Sequence, residues 1–200
     1  HISFDVALAF AQYAHATGDA QFARERAWPV LQGVAQWIAS RVQKTARGYE
    51  IRHAMGICED VLTDNNTFVL LAASVVLREA MAFAARFEYS VPAAWRDIAA
   101  NLAIARRDDL ILRCDGDSAQ RFPDASETLA AFYPYTYRET VQCETATLRH
   151  FLERGRNALG MPMLPPLFAV HAARLGDRVL ALEMLERGVA DYVIEPLFQM

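Results

Sequence analysis

The sequence predicts an all-α protein built from antiparallel helical hairpins. Apolar residues make up 54% of the 200 positions, a composition that favours a packed core over disorder. Apolar residues recur at three- and four-residue spacing through most of the chain, which is the period of an amphipathic helix. Two connectors, Thr17-Gly18-Asp19 and Leu175-Gly176-Asp177, put Gly where one helix ends and Asp where the next begins. Such hairpins suit a helical solenoid or part of a helical barrel. No fixed-period repeat is visible, which weighs against the solenoid.

The elements follow in order. Val6, Ala7, Phe10 and Tyr13 mark a helix over residues 3–17, closed at Gly18. Asp19 caps a short second helix from Ala20. Pro29 is tolerated in a first turn but not in a helix interior, so a separate long helix is expected from Pro29 to about Gln43. Its buried face is expected to include Val30, Val34, Trp37, Ile38 and Val42. Residues 65–87 read as one long helix with Phe68, Leu71, Ala72 and Val75 on its apolar face, capped by Asp64. Val91-Pro92 opens another, with Trp95, Ile98, Ala99 and Leu102 facing inward. Residues 106–137 are less regular. Asp115-Gly116-Asp117 is a surface turn signal, and Pro123 and Pro134 interrupt any helix. Phe132, Tyr133, Tyr135 and Tyr137 read either as core or as the lining of a sugar site. Helices return over residues 138–154, and then as a final pair, Leu167 to Leu175 and Asp177 to Val189.

Composition removes several function classes. The formal charge is 20 − 24 = −4, with no clustered Lys/Arg stripe, so nucleic acid is not an expected partner. No apolar run approaches the ~18 residues of a membrane span, so no membrane association is expected. The 3 cysteines, Cys58, Cys114 and Cys143, form neither a disulfide framework nor a zinc pattern. The Asp-x-Asp at 115–117 lacks the other ligands of a calcium loop, so no metal site is expected. The chain opens on His1 inside a helical pattern and ends on Met200 without a tail. Both ends read as cut, leaving compartment unread, with a marginal preference for the cytoplasm.

One stretch departs from the helical pattern. Ile51 to Asn66 carries a Gly, the acids Glu59, Asp60 and Asp64 and paired amides, with no helical stripe. It lies between two long helices, where a helical scaffold places a functional loop.

Around this loop the residues resemble the catalytic domain of glycoside hydrolase family 65. The likeness begins with His1-Ile2-Ser3, Ala16-Thr17-Gly18-Asp19, Phe22 and Trp37 with Ser40-Arg41-Val42. It runs on through Gly56-x-x-Glu59, Asp64-Asn65-Asn66 and Pro92-x-x-Trp95-x-x-Ile98-Ala99. It continues in Leu129 to Tyr135 and Ala172-Ala173-Arg174-Leu175-Gly176-Asp177. The family contains maltose, trehalose and kojibiose phosphorylases, acid trehalases and the collagen glucosylgalactosylhydroxylysine glucosidase. The resemblance implies that residues 1–200 are part of an (α/α)6 barrel, truncated at both ends. It also implies inverting cleavage of an α-glucosidic bond in a disaccharide or small glucoconjugate, a carbohydrate partner and no cofactor, and it allows a homodimer of the complete enzyme.

The family's general acid is the Glu of a Gly-Pro-Asp-Glu motif, and Glu59 falls on that position, with Ile57 and Cys58 replacing Pro and Asp. Phosphorylases cradle phosphate with a His-x-Ser-Ser-like segment. The corresponding Gly160-Met161-Pro162-Met163-Leu164-Pro165-Pro166 has no His, Ser, Lys or Arg, so hydrolysis is favoured over phosphorolysis. A hydrolase needs a second carboxylate as base. Glu195, in Glu195-Pro196-Leu197-Phe198, or a Glu beyond Met200 is the candidate, with a slight preference for the latter. His53, Asn65 and Asn66 are candidate sugar contacts, the two amides equally well loop-holding groups. His15, His150 and His171 fall within helical patterns and read as structural. A helical interaction scaffold without catalysis is the alternative from a different class.

Overall fold

A computed structural model describes residues 1–58, 61–121, 127–154 and 164–190. The chain forms two compact units that divide after Ala105.

In the first unit, α1 (Ile2–Thr17) ends at Gly18, whose φ of 67° is a left-handed cap that glycine takes at no steric cost. The Asp19 carboxylate then accepts the Phe22 N–H at 2.9 Å and starts α2 (Ala20–Phe22). The expected break at Pro29 does not occur. Residues Ala23–Ala27 form a π-helical turn that runs directly into α3 (Trp28–Arg41). Pro29 cannot donate to the preceding turn and its ring crowds that turn. The wider π turn accommodates this without ending the helix. Continuity also moves the buried face from the expected one. It follows Ala23, Ala27, Leu31, Ala35 and Ile38, while Trp37 is 46% exposed and meets Phe4 edge-on at 5.7 Å.

Helix α4 (Thr67–Arg86) is the core of this unit, buried from Thr67 through Leu77 and again at Ala80, Phe83 and Ala84. Each fully buried Leu or Val contributes ~1.5–3 kcal/mol relative to exposure. The one hydroxyl in the middle, Ser74, donates to Ala99 O at 3.1 Å, so it does not enter the core unpaired. Contrary to the sequence reading, this helix is long and apolar enough to cross a membrane by length and composition. Its burial on most sides makes it the core helix of a folded unit. Helix α5 (Ala93–Ala100) follows Pro92 and buries Trp95, Ile98 and Ala99 as expected.

Strands are few and short. β1 (Gln43–Thr45) pairs antiparallel with β2 (Gly48–Glu50), and β3 (Ala54–Met55) with β4 (Leu62–Thr63). None of the three hairpins was legible as a strand pair, because two or three residues carry no alternation to read. The third, β5 (Arg106–Arg107) with β6 (Leu110–Ile111), opens the second unit.

The second unit continues with a 3-10 turn (Glu127–Ala131), α6 (Val141–Arg154), α7 (Leu164–Arg174) and α8 (Arg178–Ala190). The α7–α8 connector repeats the first one. Gly176 has φ 83°, and Asp177 accepts the Leu180 N–H at 3.0 Å. The aromatic cluster resolves toward core. Phe132, Tyr135 and Tyr137 are buried, and only Tyr133 is exposed. The turn at 115–117 is only partly a surface feature: Gly116 is exposed, but the Asp117 side chain is buried against Arg154 at 2.7 Å.

Candidate active site

The loop expected between α3 and α4 is a built structure. The β1–β2 hairpin anchors it on one side. Tyr49 N–H donates to Asn101 O at 2.8 Å, and Ala103 N–H donates to Tyr49 O at 2.9 Å. Gly48 is required at this junction. A Cβ there would lie 2.2 Å from Asn101 O, and its φ is 124°.

At the end of β2, Glu50 is buried. Its carboxylate accepts from Thr45 Oγ1 at 3.1 Å and from Arg52 Nε and Nη2 at 3.2 and 3.1 Å. Burial pushes its pKa up most strongly. Arg52, Thr45 and Arg47 together outweigh burial and hold the carboxyl below its ordinary value.

The root of the loop is then closed from both ends. Asn65 Oδ1 accepts the Ile51 N–H at 3.0 Å, and Asn65 N–H donates to Ile51 O at 2.9 Å. Asn65 is fully buried with φ 52°, a conformation that Asn tolerates better than most residues. Arg41 Nη2 donates to Arg52 O at 3.0 Å. Asp64 Oδ1 accepts the His53 N–H at 2.9 Å. From this root β3 and β4 run antiparallel, pairing Ala54 with Thr63 and Met55 with Leu62. In sequence, the connection between them is Gly56-Ile57-Cys58-Glu59-Asp60-Val61.

The cap of α4 differs from the sequence expectation. Asn66, not Asp64, accepts the Val69 N–H, at 3.1 Å, and its Nδ2 reaches Thr63 Oγ1 at 3.3 Å. Asp64 lies two residues before that position, and its carboxylate accepts the His53 N–H instead. Both amides, Asn65 and Asn66, are fully buried and hold the loop and the helix end.

His53 is exposed, with φ 50°. Glu59 and Asp60 lie outside the described residues, as do Glu195 and the residues up to Met163 of the segment compared with the phosphate cradle. Ile57 and Leu62, which flank this stretch in sequence, are 40% and 55% exposed. The remaining histidines sit as expected in helices. His171 is buried with Nε2 2.9 Å from Leu129 O, and His15 meets Glu79 at 2.8 Å. His1, beside the loop's helix, meets Phe68 edge-on at 6.0 Å.

Arg41, Glu50 and Arg52 were not singled out from sequence as chemistry. The only available signal was Arg41 in the last turn of α3, where a cation suits the helix C-terminus. A shallow groove of about 520 Å³ lies by the β1–β2 hairpin, lined by Lys44, Arg47, Tyr49, Asp97 and Asn101 among others. Neither His53 nor the two amides line it. Asp97 there accepts from Tyr49 Oη at 2.6 Å and from Lys44 at 3.3 Å, so its charge is already matched.

A helical chain with a braced hairpin at the entry to its core helix belongs to a known class. Residues 1–130 match the description "Glycosyl hydrolase family 65 central catalytic domain". The chain belongs to that family. It is 32% identical over 180 residues to a kojibiose hydrolase of Flavobacterium johnsoniae, covering 88% of this chain and 26% of that protein. It is 28% identical over 194 residues to a protein-glucosylgalactosylhydroxylysine glucosidase of Danio rerio, covering 94% of this chain and 29% of that protein. The chain thus spans under a third of the length of these relatives. A solved structure described as "Putative kojibiose phosphorylase from human microbiome" superposes with a TM-score of 0.74 at 14% identity, over 91% of this chain and 31% of that one. That likeness shows the fold, antiparallel helical hairpins forming part of an (α/α)6 barrel.

Proposed function

We propose that this chain supplies the acid side of an inverting glycoside hydrolase acting on an α-glucosidic bond in a disaccharide or small glucoconjugate. Residues 1–200 are then part of its barrel domain. The observation that carries the reading is the catalytic-domain match over residues 1–130, which includes Glu59. Glu59 is the general acid, protonating the leaving oxygen as the bond breaks. Glu195, or a Glu beyond Met200, is the base that activates water on the opposite face. His53 is a candidate sugar contact, standing exposed at the root of the β3–β4 hairpin. Hydrolysis is preferred because Gly160 to Pro166 offers no cationic or hydroxyl side chain for phosphate, and because two relatives are named for hydrolysis.

Glu59→Gln in the full-length chain keeps the shape and removes the transferable proton. The expected loss falls on kcat, ~10²–10⁴-fold. An α-glucosyl fluoride, whose leaving group needs little protonation, should be hurt far less. Equal losses on both substrates would reject Glu59 as the acid, and turnover that requires phosphate would reject hydrolysis.

A further inference from the structure

The bonds from Arg41 and Asp64 converge on a single peptide group. Arg52 O and His53 N–H are the two ends of the 52–53 peptide. The Arg41 guanidinium holds the carbonyl at 3.0 Å, and the Asp64 carboxylate holds the N–H at 2.9 Å. A peptide plane pinned at both ends cannot flip. The residue that follows it, His53, sits at φ 50°, a left-handed conformation uncommon for a non-glycine residue, though Asn, Asp and His take it more readily than most. Releasing either end lets the plane rotate and His53 return to ordinary backbone space. Strand β3 begins at the next residue, Ala54, so this plane is one of the contacts that set the angle at which the hairpin leaves the scaffold.

The two amides beside it do a different job. Asn65 and Asn66 are fully buried and join the loop root to the core, so their loss is a folding defect. Arg41 and Asp64 hold their bonds in exposed positions, where a hydrogen bond adds little to global stability because water competes for both partners. A left-handed residue held in place by two charged side chains near the surface is better explained by a geometry the site requires than by the needs of folding.

We propose that Arg41 and Asp64 are positioning residues that lock the 52–53 peptide and thereby aim the β3–β4 hairpin that carries Glu59. This rests on the reading of Glu59 as general acid. Neither residue touches the substrate. Both act by keeping the proton donor in line with the leaving oxygen, where small displacements are costly in rate.

The test uses the full-length chain with Asp64→Ala, Asp64→Asn, Arg41→Ala and Glu59→Gln, and the double variant Asp64→Ala/Glu59→Gln. Asp64→Ala and Arg41→Ala are expected to lower kcat on the natural glycoside about tenfold or more, with KM within about twofold. Asp64→Asn retains a carbonyl acceptor for the His53 N–H and should recover most of that loss. On α-glucosyl fluoride the loss should shrink. In the Glu59→Gln background Asp64→Ala should add almost nothing, since the aimed group is already gone. Thermal unfolding of the wild type and the Asp64→Asn variant should coincide, which separates aim from folding. Full activity of both Asp64→Ala and Arg41→Ala, with Glu59→Gln inactive, overturns the positioning role alone. So does a loss that is the same size on both substrates, or that persists undiminished in the Glu59→Gln background. Full activity of Glu59→Gln overturns the acid assignment, and the positioning role with it.

Discussion

The two units bury different things. The first is organised around an apolar helix, and its charged pairs each keep at least one partner near solvent. α4 carries Leu70, Leu71, Val76 and Leu77 at 0% exposure, while the buried Glu50 pairs with the half-exposed Arg52 and His15 meets Glu79 at the surface. The second unit carries ion pairs inside. Arg113 Nε donates to Glu127 Oε1 at 2.6 Å with both side chains almost fully buried. Arg154 Nη2 reaches Asp117 Oδ1 at 2.7 Å, while Asp117 Oδ2 also accepts the Arg113 N–H at 2.9 Å. Arg174 joins Glu144 to the Phe132 carbonyl, at 3.1 and 2.8 Å. The comparison teaches what irregular chain requires. Long helices satisfy their own backbone and can be packed with hydrocarbon. Bends leave carbonyls and amides that need other partners, and among the described residues the Arg113 N–H is met by Asp117, Ser118 O by Arg154 and Phe132 O by Arg174.

The largest expected effect comes from breaking one buried pair. Arg113→Ala leaves the Glu127 carboxylate buried without its cation, and the loss should be ~3–5 kcal/mol in denaturant unfolding. Replacing both partners, as Arg113→Met with Glu127→Leu, should recover most of it, because two apolar side chains leave no charge to strand. If the single and double variants are equally damaged, the pair is organising backbone and the contrast between units sharpens. If neither costs more than ~1 kcal/mol, the charge behaves as a surface pair and the contrast fails.

The first unit should respond by volume alone. Leu71→Ala in α4 opens a cavity at a fully buried position and should cost ~2–5 kcal/mol, with Leu71→Met costing less than ~1.5. The loss should not depend on salt. A pronounced salt dependence would mean that charge contributes to this core after all.

What the sequence made legible follows the same divide. The apolar periodicity of α4 and α5 and the two Gly-Asp connectors are local signals, and the structure matches them; α1 forms where expected but buries Phe4, Ala7, Leu8, Ala11 and Ala14, leaving Val6 and Tyr13 exposed. The continuous helix through Pro29 was missed because a π turn is a response to crowding and not a residue pattern. The cap was assigned to Asp64 because Asp and Asn are equivalent as caps in sequence; which one serves depends on where the hairpin root places them. The loop was legible as a place where the helix stops. Its internal wiring was not, since Arg41, Glu50, Arg52 and Asp64 meet through contacts between residues far apart in the chain. The buried pairs of the second unit were invisible for the same reason. Nothing in the run Arg113 to Asp117 says that Arg154 comes back to it.

The smallest expected effect is a difference in how the units respond to acid. His171 is buried, and that burial, against the hydrogen bond to Leu129 O and with Arg174 adding repulsion, pushes its pKa down to about 4. Its Nε2 must carry the hydrogen, because the partner at 2.9 Å is a carbonyl. The folded state therefore holds the ring neutral, while an unfolded histidine titrates near ~6.5. Above that pH neither state is protonated and stability is flat. As pH falls from about 6.5 toward about 4, the unfolded chain takes up a proton that the folded chain refuses, so stability falls. Below about 4 both states are protonated and this contribution levels off. The total is at most about 3 kcal/mol for a shift of this size. Glu50 in the first unit behaves differently. Its carboxyl is held below the ordinary value, so its contribution persists above the usual carboxylate pKa and is lost only as pH falls beneath it. Unfolding measured at steps between pH 7 and pH 3 should show a descent that begins near 6.5 in the wild type. In His171→Gln, which keeps a side-chain N–H for the Leu129 carbonyl but cannot titrate, the upper part of that descent should shrink to the share of His150, whose pKa burial also lowers, while the part below the carboxylate range remains. An unchanged slope in His171→Gln would mean that the ring is reached by water in solution, and that the second unit does not bury its polar groups as the structure describes.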